Sequence, residues 1–73
     1  MKIKIDLDAN AMYISFRKGT FYKNKKIDNK TIADFDKDGN ILGIELLAIK
    51  ERIPAKSLAE VSVSKIPVQK SSN

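Results

Sequence analysis

The segment that most constrains the fold runs from Thr31 to Leu46 and is divided by the dipeptide Asp38-Gly39. Asp-Gly is a favoured two-residue hairpin turn, because both central positions of that turn need positive φ angles. The turn predicts three cross-strand pairs: Phe35 with Leu42, Ala33 with Ile44, and Thr31 with Leu46. The hairpin then has one apolar and one acidic face, as expected of a strand pair that packs on a core.

A second hairpin is predicted at the amino terminus, where polar and apolar residues alternate from Lys2 to Leu7 and again from Met12 to Arg17. A four-residue loop, Asp8-Ala9-Asn10-Ala11, separates the two runs, and short polar side chains suit such a loop. The predicted pairs are Leu7 with Met12, Ile5 with Ile14, and Ile3 with Phe16. A one-residue slip would move one apolar set to the opposite face, so the facing of the strands is well determined.

Between these hairpins, the turn Lys18-Gly19 predicts a third strand over Thr20–Ile27, in which Phe21 pairs with Phe16. After its aromatic residues this strand has little apolar content. It is therefore expected to be an edge strand or one strand of a projecting ribbon.

Beyond the second hairpin, the spacing of Leu46, Ile49 and Ile53 is helical. This helix is expected to end before Pro54, because proline disfavours the helical conformation in the residue preceding it. A second short helix is predicted over Ala55–Glu60. Together the patterns predict an α+β fold, an antiparallel β-meander of about five strands with one or two short C-terminal helices packed on one face. The predicted core, under the helix near Ile49 and Ile53, comprises Ile14, Phe16, Phe35, Leu42, Ile44 and Leu46.

Length and composition bound the possible functions. The chain has 73 residues, no cysteine and no histidine, which excludes thiol nucleophiles, imidazole bases and Cys or His zinc sites. We predict one small domain at residues 1–68, a disordered polar tail at 69–73, no catalytic activity and no cofactor. Without a membrane span or a signal-peptide pattern, the expected compartment is the cytoplasm, and no small-molecule substrate is evident.

Positive charge is concentrated between Arg17 and Lys30, where Asp28 is the only acid, and the net charge of the chain is +5. Such a cluster can attract nucleic-acid phosphates, with an aromatic side chain stacking on a base. The residues that would do so are Lys18, Tyr22, Lys23, Lys25 and Lys26. The alternative, which we favour, is that these lysines are solvated and protect a strand edge from aggregation.

The acidic face of the Asp38-Gly39 hairpin predicts a carboxylate cluster of Asp34, Asp36 and Glu45. Oxygen ligands of this kind can hold magnesium or calcium, and a pair of carboxylates can serve acid and base catalysis, as in a metal-dependent hydrolase. The favoured alternative is a hydrated face, since a flat sheet lacks the cleft of a typical site. Gly43, inside the second strand of this hairpin, indicates either a bend or a close approach to the backbone.

Two segments carry a family resemblance: the run Ile5–Ile14, and the run from Asp34 through the Asp38-Gly39 turn to Leu46. Together they resemble the small prokaryotic domain-of-unknown-function 2283 family. The chain has Ile5 and Leu7 where the family often has tyrosine and proline, and Asn10 where it often has aspartate. The resemblance implies the fold and the size, and some relatives look like partners of small toxin-like proteins.

The leading functional hypothesis is a small non-catalytic intracellular interaction module, which binds a second copy of itself or another protein such as a toxin-like partner. This hypothesis rests on three features: the absence of the usual catalytic residues, the small core, and sheet edges that can accept an added strand. The alternative hypothesis is a nucleic-acid-binding protein that uses the lysine-rich strand.

Overall fold

The computed structural model describes residues 1–61 and shows a five-stranded antiparallel sheet followed by two short helices. This confirms the predicted α+β fold with C-terminal helices. The predicted domain end at residue 68 and the predicted tail at 69–73 lie outside the described residues. The elements are β1 (Lys2–Asp6), β2 (Ala11–Ser15), β3 (Lys23–Asp28), β4 (Thr31–Phe35), β5 (Ile41–Leu47), α1 (Ile49–Arg52) and α2 (residues 55–61).

The strand order is β1-β2-β5-β4-β3, so the last of the strands within residues 1–61 lies in the middle of the sheet. The expected pairing of Phe21 with Phe16 is wrong, because β2 pairs with β5 and residues 16–22 cross the ends of β5 and β4. In this crossing the Phe16 N–H donates to the Leu42 carbonyl and the Tyr22 N–H to the Phe35 carbonyl, both at 2.8 Å. The apolar β5 thereby gains neighbours on both sides, and the polar β3 takes an edge.

In the first hairpin the apolar side chains lie on the predicted face of the sheet, but the predicted cross-strand pairs are wrong. Ile3 lies opposite Ile14 and Ile5 opposite Met12, a shift of two residues from the predicted register. Because side chains alternate with a period of two, this shift leaves every apolar residue on the same face. The loop is residues 7–10 rather than 8–11 and ends at Asn10, which has a φ of 57°.

The second hairpin confirms the pairs of Thr31 with Leu46 and of Ala33 with Ile44. The pair of Phe35 with Leu42 is wrong, because a bulge between Asp34 and Phe35 places Phe35 opposite Ile41.

The turn of this hairpin is also longer than the predicted two residues, since residues 36–40 separate the strands. Only Gly39 in this loop has a positive φ, 86°. The loop closes around the Asp36 carboxylate, which accepts the backbone N–H groups of Asp38 and Asn40, both at 2.9 Å, and the Asn40 side-chain amide at 3.0 Å. An Asx-type turn of this kind supplies the chain reversal with its own side-chain acceptor.

Both helices pack on one face of the sheet, which we call the helix face. Its buried cluster consists of Met12, Ile49 and Leu58, and Ile49 is completely buried. The half-buried apolar residues packed against this cluster are Ile3, Ile5, Ile14, Leu46 and Ile53. All the strand residues in these two sets fall on the face that the alternation pattern predicted to be apolar.

The predicted core list is therefore partly correct. Leu42 is buried, and Phe35 and Ile44 are half-buried. Phe16 is wrong, since it follows the end of β2 and is 39% exposed. Met12 is the main residue that this list lacks.

Helix α1 is attached to the sheet by Asn10 and Arg52. The Asn10 side-chain oxygen accepts the Lys50 N–H at 2.8 Å, and the Asn10 carbonyl accepts the Ile49 N–H at 3.2 Å. At the other end of the helix, the Arg52 guanidinium donates to the Lys30 carbonyl at 2.6 Å. Asn10 thus supplies the helix cap that Ala48, the residue before α1, cannot provide.

Candidate functional site

The face of the sheet opposite the helices, which we call the polar face, carries a row of side chains across all five strands. The central members, Tyr13, Glu45 and Ile32, are half-buried, whereas the lysines at both margins are exposed. Neither α1 nor α2 packs on this face. In strand order the row is Lys4, Tyr13, Glu45, Ile32 and Lys26.

At the centre of the polar face, the Tyr13 ring lies directly on the backbone of Gly43. A Cβ atom at Gly43 would be 2.5 Å from Tyr13 Cζ and 2.6 Å from the Ile14 carbonyl oxygen. Crossing β5 in this way, Tyr13 donates a hydrogen bond from its hydroxyl to Asp34 Oδ2 on β4, at 3.1 Å. Gly43 is therefore a site of close approach, one of the two interpretations that its position in the strand allowed.

Burial raises the pKa of the Tyr13 hydroxyl above its usual range, and so do the hydrogen bond to Asp34 and the negative charges of Asp34 and Glu45. A raised pKa means that the phenol keeps its proton at neutral pH. Tyr13 is then a hydrogen-bond donor to Asp34 and is poorly suited to act as a general base or a nucleophile. The centre of the polar face therefore holds a protonated tyrosine hydrogen-bonded to Asp34.

Only two of the three carboxylates predicted to cluster are brought together around Tyr13. The negative charges of Asp34 and Glu45 both raise the pKa of its hydroxyl. Asp36 instead belongs to the β4–β5 loop, where its carboxylate accepts hydrogen bonds from the loop itself. Hydrogen bonds from Asn40 and from the Asp38 backbone lower the pKa of Asp36. Among residues 1–61, no three Asp or Glu side chains form a group that could hold a metal ion.

The lysine-rich strand predicted to bind nucleic acid is β3, at one edge of the sheet, and all six of its residues are exposed. Lys23 lies opposite Phe35 and Lys25 opposite Ala33, so both are on the helix face. Lys26 lies opposite Ile32 and is on the polar face. The lysines therefore form a basic stripe along the edge, which we call the β3 edge, and not a patch on one face.

Tyr22 and Lys18 lie in the segment that leads into β3, and an open pocket of about 380 Å³ adjoins it. Two aromatic side chains in its wall are largely exposed, Phe21 at 56% and Tyr22 at 64%. Sequence reasoning missed this pocket because it placed Phe21 inside a strand. The residues lining it, which we call the Phe21 pocket, are Thr20, Phe21, Tyr22, Asp36, Lys37 and Asp38.

Neither helix within residues 1–61 has the length and apolar content that crossing a bilayer requires.

Comparison with known protein families gives a match. A family model described as "Protein of unknown function (DUF2283)" matches residues 2–50, a span that contains all five strands and the beginning of α1. No curated protein and no solved structure matches the chain. The matched span contains the polar face and the β3 edge.

Proposed function

Since this chain belongs to the DUF2283 family, a family of unknown function, we propose its function from its surface. It is a small non-catalytic interaction module that binds an extended segment of a partner protein at the β3 edge. Its compartment is the cytoplasm, a proposal that rests on the cysteine-free composition.

The observation that carries this proposal is the position and exposure of β3. Among the described strands only β4 pairs with β3. The outer side of such a strand presents backbone N–H and C=O groups, which can pair with an extended chain. Adding a strand to a sheet edge is a common way for a small domain to bind a protein segment.

The non-catalytic part of the proposal is supported by the chemistry of the polar face. The Tyr13 hydroxyl at its centre has a raised pKa and donates to Asp34. The chain also has no cysteine or histidine to act as nucleophile or base. The surface is better suited to recognition than to bond making.

A pair of proline variants tests the proposal. Neighbouring residues in an antiparallel strand direct their N–H groups to opposite sides, so one of Asn24 and Lys25 donates towards β4 and the other outwards. Proline is tolerated on an edge strand only where the missing N–H faced away from the sheet. We expect one of Asn24→Pro and Lys25→Pro to keep the wild-type circular dichroism spectrum and melting temperature.

The folded proline variant is then compared with wild type in capture experiments from a lysate of the source cells. We expect wild type to retain a defined protein that the folded variant loses, and β3 amides to exchange more slowly when that protein is added. Equal capture by both proteins, or unchanged exchange at β3, would refute binding at this edge. Light scattering of the chain alone shows whether the captured partner is a second copy.

Nucleic-acid binding is the second candidate, because the exposed Phe21 and Tyr22 lie beside the lysines of β3. Exposed aromatic rings next to basic side chains can stack on single-stranded bases. Fluorescence anisotropy with DNA and RNA at low salt tests it, and genuine binding should weaken steeply as salt rises. The double variant Lys25→Glu and Lys26→Glu should abolish that binding, and absence of binding by wild type at low salt removes the candidate.

A further inference from the structure

Resting on the proposed function, we infer that the segment bound at the β3 edge is acidic and has an apolar side chain that fills the Phe21 pocket. The charges of β3 determine the first property, and the position of the pocket determines the second.

Charge complementarity favours an acidic segment. Directly opposite residues in neighbouring antiparallel strands have Cβ atoms about 5 Å apart, close enough for opposite charges to attract. An added strand would face Lys23, Lys25 and Lys26, with Asp28 as the only acid in β3. Because Lys25 and Lys26 are on different faces, acidic residues on both faces of the added strand would find a lysine.

A second copy of the chain fits this edge less well. If two β3 strands paired antiparallel along their full length, Lys25 of each would lie opposite Lys26 of the other, at the centre of the interface. The pairs of Lys23 with Asp28 at the ends would offset this only in part, because a bulge between Lys26 and Asp28 disturbs the register there. Like charges directly opposite each other destabilise strand pairing.

The Phe21 pocket adjoins the beginning of β3, since Tyr22 in its wall is the residue before Lys23. The Tyr22 N–H bonds to the Phe35 carbonyl at 2.8 Å, so the backbone of β3 remains tied to β4 one residue before the strand begins. A segment that follows β3 past Lys23 therefore reaches Tyr22 and Phe21.

The pocket suits an apolar side chain more than a charged one. Its walls include the exposed rings of Phe21 and Tyr22, which an apolar occupant would remove from water. The Asp36 carboxylate also lines it, but this group already accepts three hydrogen bonds within its own loop. Buried apolar anchors of this kind carry much of the binding energy in protein interfaces.

Synthetic peptides test the inference with the full 73-residue chain. Each peptide spans the six residues of β3 and the pocket, and alternates glutamate with valine. One peptide carries phenylalanine at its amino end, one at its carboxyl end, and one has serine at both ends. A lysine-valine peptide is the charge control, and binding is followed by backbone amide shifts and calorimetry.

We expect one phenylalanine peptide to bind about tenfold more tightly than the serine peptide, because only one chain direction brings its anchor to the pocket. The double variant Lys25→Glu and Lys26→Glu should weaken all acidic peptides by about tenfold. Phe21→Ala should weaken only the anchored peptide. Controls at the opposite edge of the sheet are the double variant Lys2→Glu and Lys4→Glu for charge and Leu7→Ala for an exposed apolar side chain.

Equal affinity of the phenylalanine and serine peptides would overturn the anchor in the Phe21 pocket. Equal affinity of the lysine and glutamate peptides would overturn the acidic partner. Either result leaves strand addition at β3 to be decided by the proline pair. If oligonucleotides bind at low salt and none of the peptides do, both the inference and the proposed function fail.

Discussion

The two outer parts of the sheet differ in what lies against them. Strands β1 and β2, together with the central β5, contribute Met12 and its half-buried neighbours to the cluster that Ile49 and Leu58 cover. Strand β3, at the other side, is exposed at all six residues. Within residues 1–61 it pairs only with β4, whose Ala33 is buried.

This difference separates stability from recognition. Burial of apolar side chains dominates folding free energy, so the helix-covered part should determine whether the domain folds. The β3 edge contributes little burial and can therefore change its side chains, or bind a partner, with little effect on the rest of the molecule. Four pairs of variants test this division, in order of decreasing expected effect.

The largest contrast is between two isoleucines. Ile49 is completely buried against Met12 and Leu58, whereas Ile27 in β3 is 59% exposed. Ile49→Ala should cost about 2 to 5 kcal/mol, enough to unfold a domain of this size. Ile27→Ala should cost less than about 0.5 kcal/mol. Urea denaturation followed by circular dichroism measures both losses. Similar midpoints for the two variants would contradict the difference in burial between the helix-covered part and β3.

Gly43→Ala tests the strand that both parts share. The new Cβ would meet the Tyr13 ring and the Ile14 carbonyl, and a backbone atom cannot move aside cheaply. We expect a loss of about 2 to 3 kcal/mol in unfolding free energy. Gly19→Ala is the matched control, since the atoms nearest to its Cβ belong to the Leu42 side chain, the first at 2.6 Å. Equal melting temperatures for the two variants would argue against close contact of Tyr13 with β5.

Asn10→Ala tests how the helices are held over β1 and β2. It removes the hydrogen bonds of the Asn10 side chain to the Lys50 N–H and the Glu51 carboxylate, and it places alanine at a positive φ. The expected cost is about 2 kcal/mol in chemical denaturation. Asn10→Gly loses the same two bonds but tolerates the backbone angle, so it should cost about 1 kcal/mol. A larger loss in the glycine variant would contradict the backbone strain at this position, and no loss in the glycine variant would contradict the cap.

The smallest expected effect concerns the carboxylate in the β4–β5 loop. Hydrogen bonds lower the pKa of Asp36, so its contribution to stability is present above the usual aspartate pKa, near pH 4, and is lost as pH falls towards the lowered value. Asp36→Asn should therefore show a shallower fall of melting temperature between pH 5 and pH 3. Asp8→Asn, in the exposed β1–β2 turn, is the control and should follow wild type.

Local patterns in the sequence were sufficient to predict which side chains of each strand face the helices. Ile3, Ile5 and Ile14 alternate strictly, and a register error of two residues cannot change their face. The pairs Thr31 with Leu46 and Ala33 with Ile44 followed from the position of the Asp38-Gly39 turn. These features depend on neighbours in sequence, which periodicity reports directly.

The strand order could not be obtained in this way, because it depends on which apolar strand gains two neighbours. No local signal in the sequence shows that the Phe16 N–H donates to β5 and the Tyr22 N–H to β4. The predicted carboxylate cluster was correct only in part. Asp34 and Glu45 share a face by alternation, but two features separate Asp36 from them. The bulge depends on tertiary strand pairing, whereas the Asx-type turn is a local motif that the prediction of a two-residue turn overlooked.

The central position of β5 has a consequence for synthesis on the ribosome. The β1–β2 and β3–β4 hairpins are translated first, but they do not touch each other as neighbours in the sheet. They can join only after Leu47 has left the exit tunnel and β5 has inserted between them. Until then the nascent chain exposes Met12, Ile14 and Ala33 together, and long-range pairing of this kind slows folding. Strand β5, the last of the five to be made, is thus the one that commits the sheet to its native topology.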